Sequence, residues 1–293
     1  MKILVTGANG QLGKSIQKIT SSEKQNNEFF FTGRSELDFS QNKNIEKYFE
    51  KNSFDVIINC AAYTSVDKAE SEVRLASQIN HLAVEKLAEI TLKNKVKLIH
   101  ISTDYVFNGK NSQPYIETTK TDPINIYGKT KLAGEKSIQA IMPTNAIIIR
   151  VSWLYSEYGN NFVSTMLKLA KGRDELNVVS NQIGSPTYAT DLASVILKII
   201  KNKEFREESQ TTQIYHYSNE GEISWYEFAK EIFQLSKIQC SINPIPMEQY
   251  PAPANRPKNT LMNKDKIAET FDINTLDWKE SLNICIAILG KQQ

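Results

Sequence analysis

Short apolar runs recur along the first half of the chain, and longer segments lie between them. Each run is rich in Ile, Val, Leu or Phe, the composition of a strand buried on both faces. The segment 73–93 instead carries its apolar residues at the helical period. Strands that alternate with helices predict βαβ units and a parallel sheet. The predicted strands are residues 2–6, 28–32, 55–60, 96–101 and 146–151.

This alternation predicts an α/β fold with a Rossmann-type, doubly wound parallel sheet over residues 1–150. Segments around 177–201 would complete that domain. Residues 151–293 would form mainly a smaller C-terminal substrate-binding lobe, interleaved with the sheet in sequence. The predicted elements of this half are helices at 162–169, 192–200, 225–235 and 278–289 and strands at 176–180 and 214–218.

Three further stretches of the second half carry local signals. Thr190 and Asp191 are predicted to cap the helix at 192–200. The polar stretch 201–213 predicts an exposed connection. Residues 244–257 include five prolines (244, 246, 251, 253 and 257), which predicts irregular chain because proline lacks a backbone N–H.

Composition excludes several classes of function. Lys and Arg number 35 and Asp and Glu 33, so the formal net charge is only +2, and no basic block indicates a nucleic-acid partner. The three cysteines are scattered, which favours reduced thiols and a cytoplasmic location. The three histidines show no ligand spacing with them, so no metal site is predicted. No apolar run reaches the ~20 residues of a membrane span.

A glycine-rich turn joins the first strand to the first helix. Gly7, Gly10 and Gly13 are spaced G-x-x-G-x-x-G, with Gln11 and Leu12 between the last two. Such a turn lets the backbone approach a pyrophosphate at the positive end of a helix. The five residues are therefore candidates for cofactor binding, with a tight turn that binds no ligand as the alternative.

The end of the second strand bears on the choice of cofactor. A carboxylate there binds a free ribose 2′-hydroxyl, whereas an arginine accommodates a 2′-phosphate. Arg34 follows the strand and no acidic residue occurs before Glu36, which favours NADPH, with NADH as the alternative. Asp38 and Phe39 could lie near the adenine. Arg34 could also be an ordinary surface residue.

The third strand ends in small residues that leave room for a ligand in the crevice of the sheet. They contribute further candidates for cofactor binding: Ala61, Ala62, Tyr63 and Thr64. Cys60 is interpreted as a core residue, because no His or Asp accompanies it to make a nucleophile. Asn80 lies inside the helical segment and could face the site or form a local hydrogen bond.

Tyr127 and Lys131 form the candidate catalytic pair. Four residues apart, they lie on one face of a helix. A nearby cation lowers the pKa of a phenol, and the pair becomes a general acid or base once a third group aims it at a substrate. Thr103, at the end of the fourth apolar strand, is the candidate third group. A half-buried aromatic beside a solvated lysine is the alternative.

Several of these motifs together resemble the extended short-chain dehydrogenase/reductase family, and within it the reductases of dTDP-linked keto-sugars. The resemblance rests on the glycine turn, on the strings Ser102-Thr103-Asp104-Tyr105-Val106-Phe107 and Ala61-Ala62-Tyr63-Thr64, and on Tyr127 with Lys131. It continues through residues 150–153, 159–162, 184–187 and 256–257.

The resemblance implies a reduction. NADPH would give a hydride to the 4-keto carbon of dTDP-4-dehydro-6-deoxy-L-mannose, yielding dTDP-L-rhamnose. Tyr127 would donate the proton, Lys131 would lower the pKa of the tyrosine and hold the nicotinamide ribose together with it, and Thr103 would hydrogen-bond the carbonyl oxygen. The candidate substrate-binding residues are Thr103, Asp104, Trp153, Asn161 and Arg256.

Each substrate candidate has a plainer interpretation. Asp104 could cap a turn, Trp153 could pack in a core instead of covering a sugar, and Arg256 could be a surface arginine instead of a diphosphate ligand. Dehydratases of the same superfamily carry an acidic pair after the threonine. Here Asp104 is followed by Tyr105, which favours reduction over water elimination.

Two other functions stay open. One is a reductase or epimerase acting on another nucleotide-sugar, and the other is a catalytically silent NADP-binding regulatory subunit. The intact set of Thr103, Tyr127 and Lys131 favours an enzyme. A monomer and a homodimer are both compatible with the sequence. Lys14 and Ser15 stand where a glutamate ligand of an interface Mg²⁺ would be sought, and the chain ends in Lys291-Gln292-Gln293, which argues against such a metal.

Overall fold

The computed structural model describes residues 1–22, 27–206 and 211–291, apart from the side chain of residue 204. Residues 207–210 of the predicted connection and Gln292 and Gln293 of the tail therefore lie outside the described residues. The strands are β1 (Lys2–Thr6), β2 (Glu28–Thr32), β3 (Val56–Asn59), β4 (Lys97–Thr103), β5 (Ala146–Val151), β6 (Leu154–Tyr155), β7 (Glu175–Val179), β8 (Ile183–Gly184), β9 (Thr187–Tyr188), β10 (Gln213–Tyr217), β11 (Ile223–Ser224) and β12 (Ser241–Ile245).

The helices lie mainly between these strands, as the alternation of patterns predicts. They are α1 (Gln11–Ser22), α2 (Asn42–Lys51), α3 (Val66–Ala69), α4 (Val73–Ser77), α5 (Ala83–Lys93), α6 (Ile126–Ile141), α7 (Phe162–Ala170), α8 (Ala189–Lys201), α9 (Lys203–Arg206), α10 (Trp225–Ser236), α11 (Asp265–Phe271) and α12 (Trp278–Gly290). Among the described residues, no helix is both long enough and apolar enough to cross a membrane.

The central sheet has six strands in the order β10-β5-β4-β3-β1-β2, and each neighbouring pair is parallel. The strand order reverses between β1 and β3, because the chain first moves outward to β2 and then returns to the other side of β1. Ligands of doubly wound sheets bind at such a reversal, outside the carboxyl ends of the strands. The Rossmann-type prediction is confirmed.

Apolar residues cover both faces of this sheet. On one face the strands pack against α1 and α8, with Ile16 and Ile196 among the fully buried residues. On the other face Leu4, Ile57 and Leu98 pack against α5 and α6. Burial on both faces explains why the strands read as continuous apolar runs.

The second half of the chain builds a separate apolar cluster from β6, β7 and helices α7, α10 and α12. The segment around 177–201, expected to complete the first domain, contributes α8, which packs against α1. However, β7 pairs with β12 outside the main sheet, and the sixth strand is β10. The division of the chain at residue 150 stays a prediction.

The helical prediction for 73–93 is confirmed, because α4 and α5 are joined without a break by a π-helical turn at Gln78–Leu82. Two other local predictions are wrong, each for a physical reason. The helix α8 begins without a side-chain cap, because the Asp191 carboxylate instead accepts hydrogen bonds from Asn219 and Ser281. Pro244 lies in β12, where the missing N–H is tolerated because β7 is that strand's sole partner in a two-stranded ladder of the described residues.

Candidate active site

The glycine turn lies at the reversal of strand order and admits no side chain at two of its positions. Gly7 has φ +66, and a Cβ there would lie 2.7 Å from the backbone nitrogen of Ala61. A Cβ on Gly13 would lie 2.6 Å from the Cα of Ala8. Gly10 donates from its N–H to the carbonyl of Gly7 and closes the turn. The turn thus brings bare backbone to the first residue of α1, where a phosphate can approach.

The two residues between the last glycines differ in their surroundings. Leu12 is buried in the core, whereas the Gln11 side chain reaches into the second half of the chain. Its amide nitrogen donates to the carbonyl of Leu154, and its oxygen accepts from Ser156 and from Asn161 at 3.0 Å. This side chain therefore ties α1 to the lobe.

The end of β2 presents a cation to solvent. The Arg34 side chain is 77% exposed, and its Nε lies 3.6 Å from Oδ1 of Asp38. The Glu36 carboxylate is turned back to accept from the N–H of Gly33 at 2.8 Å. The ring of Phe39 packs in the core, so little of its surface is available for the predicted contact with adenine.

The loop after β3 is held by one buried amide. Asn80, in the π-helical turn, accepts at Oδ1 from the N–H of Tyr63 at 2.8 Å and donates to the carbonyl of the same residue at 3.0 Å. Its Nδ2 also donates to Thr130 of α6 at 3.2 Å. The π-helical turn therefore fixes Ala61, Ala62, Tyr63 and Thr64 against α6.

Thr103 and Tyr127 meet at the carboxyl end of β4. Thr103 ends that strand, and its hydroxyl accepts from the N–H of Tyr105 at 3.2 Å and donates to Asp104 at 3.0 Å. Tyr127 lies in the first turn of α6, which the side chain of Asn125 caps by accepting from Gly128. The Thr103 hydroxyl is close enough to the Tyr127 phenol to influence its pKa, so both groups can face one carbonyl oxygen at this strand end.

The phenol of Tyr127 is a weaker acid than a free tyrosine. Burial raises its pKa to about 12, the Thr103 hydroxyl opposes the rise, and the charge of Asp104 adds to it. The expectation that Lys131 lowers this pKa is therefore not met in the structure. The reason is geometric, because the lysine nitrogen is bound elsewhere.

Lys131 is one helical turn further along α6 and is almost completely buried. Its Nζ donates to the carbonyl of Ile101 at 2.6 Å and lies 3.5 Å from Nε2 of His100. Burial lowers the pKa of Lys131 to about 8, against opposing contributions from Glu135 and Cys60. Asp104 is also buried, and burial raises its pKa to about 7. Two groups of the site thus titrate near neutral pH.

Residues 1–290 match the family described as RmlD substrate binding domain. The chain belongs to this family. A dTDP-4-dehydrorhamnose reductase of Aggregatibacter actinomycetemcomitans is 41% identical to this RmlD-family chain over 287 residues, which is 96% of this chain and 97% of the relative.

Two solved structures have the same fold as this RmlD-family chain. The crystal structure of a dTDP-4-dehydrorhamnose reductase from Clostridium acetobutylicum has a TM-score of 0.91 and 42% identity, and it covers 99% of this chain and 100% of its own. The enzyme from Bacillus anthracis, solved in complex with NADP, has a TM-score of 0.90 and 37% identity, with coverage of 98% and 99%.

The structure of the RmlD-family chain separates the remaining substrate candidates. Trp153 is buried in the lobe, where its ring stacks on Trp225 at 3.6 Å, so the packing interpretation describes its position. Asn161 caps α7, and each of its side-chain polar atoms is hydrogen-bonded within the protein. Arg256 pairs with Asp67 at 2.7 Å and is partly exposed. Of these three, Arg256 is the residue best placed to reach a ligand.

Sequence reasoning missed part of the site in this RmlD-family chain. Tyr105 packs edge-on against Tyr127, with ring centroids 5.8 Å apart. His100 contacts Lys131, and Asn59 contacts His100 at 3.0 Å. The sequence does contain a signal for the last two residues, because Asn59 and His100 are polar residues within otherwise apolar strands. Among the described residues, no three His, Cys, Asp or Glu side chains are grouped to hold a metal.

Proposed function

We propose that this protein is an NADPH-dependent dTDP-4-dehydrorhamnose reductase of dTDP-rhamnose biosynthesis. It reduces the 4-keto group of dTDP-4-dehydro-6-deoxy-L-mannose to give dTDP-L-rhamnose. The observation that carries the proposal is the arrangement of Thr103, at the carboxyl end of β4, beside Tyr127, in the first turn of α6. It occurs in a chain that matches reductases of this name over nearly its full length.

The residues at the glycine turn fit a dinucleotide. Gly7 and Gly13 let the turn pack directly against the backbone of Ala61 and Ala8, which brings bare backbone to the start of α1, where a pyrophosphate can bind. Arg34 is exposed at the end of β2, and the nearest acid in sequence, Glu36, is occupied by the N–H of Gly33. An exposed cation whose carboxylate neighbour, Asp38, lies 3.6 Å away can also serve the 2′-phosphate of NADPH. Asp38, Ala61, Ala62, Tyr63 and Thr64 would line the rest of the cofactor site.

Bound NADPH supplies the hydride, and the protein supplies the acid and the positioning. The hydroxyl groups of Thr103 and Tyr127 would donate hydrogen bonds to the keto oxygen, where negative charge develops. A phenol whose pKa is raised to about 12 keeps its proton at neutral pH, and it can still protonate the more basic sugar alkoxide. Tyr127 and Lys131 would also hold the nicotinamide ribose.

The substrate would lie between the sheet and the lobe. Asp104 is buried beside Thr103 and would contact the sugar in its protonated form. Arg256 would bind the diphosphate, because one guanidinium edge pairs with Asp67 and the rest can serve a second anion. Trp153 and Asn161 would act from the lobe, the first through packing and the second through its link to Gln11.

The protein would work in the cytoplasm, as a monomer or a homodimer, without a nucleic-acid or membrane partner. The alternatives are a reductase or epimerase of another nucleotide-sugar and a silent NADP-binding subunit. The placement of Thr103 beside Tyr127 favours a working enzyme.

A coupled assay tests the proposal. Purified protein is given NADPH or NADH with dTDP-4-dehydro-6-deoxy-L-mannose or the corresponding UDP-sugar, and loss of reduced nicotinamide is followed. We expect turnover with the dTDP-sugar, and a higher kcat/KM with NADPH than with NADH. Arg34→Ser should remove that preference, whereas Lys14→Ser is the matched control in α1. Tight NADPH binding without turnover of any sugar would favour the silent subunit.

A further inference from the structure

A row of buried polar side chains crosses three strands beneath the catalytic lysine. Thr6, Asn59 and His100 are register partners on β1, β3 and β4, and all three are buried. The preceding residues on the same face, two positions earlier, are apolar. Lys131 of α6 lies at the end of the row. Polar groups in such a core are costly unless each has a partner, so the pairing of each atom is informative.

The orientation of the Asn59 amide is set by the backbone. The N–H of Ala61 can only donate, and it lies 3.2 Å from Oδ1 of Asn59. Thr6 donates its hydroxyl to the same oxygen at 2.7 Å. The amide nitrogen of Asn59 therefore faces Nδ1 of His100, at 3.0 Å.

This orientation determines the tautomer of His100. An amide nitrogen donates and never accepts, so Nδ1 of the imidazole must be the acceptor. Burial holds the pKa of His100 well below its ordinary value, and the ring is neutral. A neutral imidazole with an unprotonated Nδ1 carries its proton on Nε2. That nitrogen lies 3.5 Å from Nζ of Lys131.

The two protonation states of Lys131 respond differently to this N–H. An ammonium has three donors and no acceptor, so it repels an N–H that points at it. A neutral amine has a lone pair that can accept from His100 while one of its own hydrogens stays on the carbonyl of Ile101. The row therefore favours the amine over the ammonium.

We infer that Asn59, oriented by the N–H of Ala61, and His100 act as positioning residues that fix the Nε2–H tautomer of His100 and make Lys131 release its proton readily. The inference deepens the proposed function and rests on it, because proton release by Lys131 serves catalysis only if the protein is the proposed reductase. In each turnover Tyr127 would lose a proton to the sugar oxygen and would have to regain one, and a Lys131 that releases its proton readily would ease that return.

Two groups near Lys131 favour its ammonium form, but the stronger of them is already bound by other residues. Glu135, one turn along α6, and Cys60, after β3, favour the ammonium. However, the Glu135 carboxylate is already bound by Arg150 of β5 and accepts from Ser102 of β4. From β4 itself, His100 and the carbonyl of Ile101 face the lysine nitrogen. On α6 itself, Tyr127 lies one turn before Lys131 on the same face of the helix and is titratable as well.

A second buried histidine gives an internal reference. Nδ1 of His216 lies 3.1 Å from the carbonyl of Tyr115, which only accepts. Nη1 of Arg150, which only donates, lies 3.4 Å from Nε2 of the same ring. His216 must therefore carry its proton on Nδ1, the opposite arrangement to His100.

Nitrogen NMR of the ¹⁵N-histidine-labelled protein tests the inference without any sugar substrate. The chain has three histidines, and His100→Gln and His216→Gln assign the two buried rings. At pH 7 we expect His100 to be protonated at Nε2 and His216 at Nδ1, with and without NADPH. A His100 ring protonated at Nδ1, or at both nitrogens, would overturn the inference.

A pair of variants then links the tautomer to the lysine. In Asn59→Asp the carboxylate can only accept, so Nδ1 of His100 must donate and Nε2 becomes an acceptor for the ammonium. The titration of Lys131, followed by its ¹³Cε resonance and assigned with Lys131→Arg, should then rise by about one pH unit or more. Thr6→Val is the matched control, because the N–H of Ala61 still orients Asn59, and both the tautomer and the titration should persist.

The outcomes separate this inference from the proposed function. A changed tautomer in Asn59→Asp with an unchanged lysine titration would refute the inference. Continued turnover of the dTDP-sugar would leave the proposed function intact. Absence of turnover would remove the proposed function and leave the NMR result standing. If Asn59→Asp does not fold, the wild-type spectrum still decides the tautomer.

Discussion

Arg150 and Glu135 form a bidentate ion pair that is buried between the sheet and α6. Nη2 of Arg150 lies 2.7 Å from Oε2 of Glu135, and Nε of Arg150 lies 3.1 Å from Oε1. Removing one partner of such a pair leaves an uncompensated charge in the core. We expect Arg150→Met to lower the free energy of unfolding by about 3–5 kcal/mol, measured by urea denaturation.

An exposed pair provides the comparison for this variant. Lys258 and Glu248 are 2.7 Å apart, but both side chains are more than half exposed. Lys258→Met should change the free energy of unfolding by less than about 1 kcal/mol. Equal effects of the two substitutions would show that burial does not govern the cost.

Tyr127 and Thr103 are expected to act on the transition state more than on binding. Tyr127→Phe and Thr103→Val each remove one hydroxyl from the position of the developing oxyanion. Each variant should lose about 10²–10³-fold in kcat while its Kd for NADPH stays within a few-fold of wild type. Steady-state kinetics and fluorescence titration of NADPH measure the two quantities. Wild-type turnover in Tyr127→Phe would contradict the proposed role of the phenol as proton donor.

The glycine turn makes a prediction about stability and cofactor binding together. In Gly7→Ala the new Cβ meets the backbone of Ala61 at a positive φ, so we expect a loss of at least about 1–3 kcal/mol in the free energy of unfolding and weaker NADPH binding. Gly172→Ala is the control, because no atom lies within 4 Å of its Cβ. Indistinguishable melting and binding of the two variants would refute the steric account.

The buried His216 gives a pH dependence of known sign. Burial, aided by the charge of Arg150, lowers its folded-state pKa from 6.5 to about 3, so between these values the unfolded chain takes up a proton that the folded protein does not. This residue's contribution to stability is fully present above pH 6.5 and declines as the pH falls. Between pH 6.5 and 5 the loss is about 2 kcal/mol.

Comparison of variants isolates that contribution from those of other groups. Asp104, whose folded-state pKa is raised to about 7, changes stability in the opposite direction over part of this range. Urea denaturation of wild type and His216→Gln at both pH values should therefore give a difference between the two proteins that changes by about 2 kcal/mol. A constant difference would mean that His216 is protonated in the folded state.

The sheet was predictable because burial on both faces leaves a continuous apolar signature in each strand. β1, β2 and β5 were predicted to the residue, and β3 and β4 to within two residues at either end. The π-helical turn at Gln78–Leu82 was not predictable, because its cause is a contact of Asn80 with a loop distant in sequence. The sixth strand of the sheet is β10, whereas the segment that contains β7 was expected to complete the domain; this difference likewise depends on long-range packing.

In the candidate site too, some features were predictable from the sequence and others depend on the folded structure. Tyr127 and Thr103 were found because a motif fixes their spacing and their position on a strand end. The direction in which the pKa of Tyr127 shifts was not predictable, since it depends on burial and on where Nζ of Lys131 points. Arg256 was a candidate from its loop, yet its pairing with Asp67 requires folding of residues almost 200 apart in sequence.

The bend that follows β5 has a mechanical consequence. Trp153 adopts a left-handed conformation, with φ 47, and its indole is clamped between Trp225 and the bare backbone of Gly184. Arg150, three residues earlier, is bound by Glu135 of α6. Two side chains only three positions apart therefore join the lobe to the helix that bears Tyr127 and Lys131.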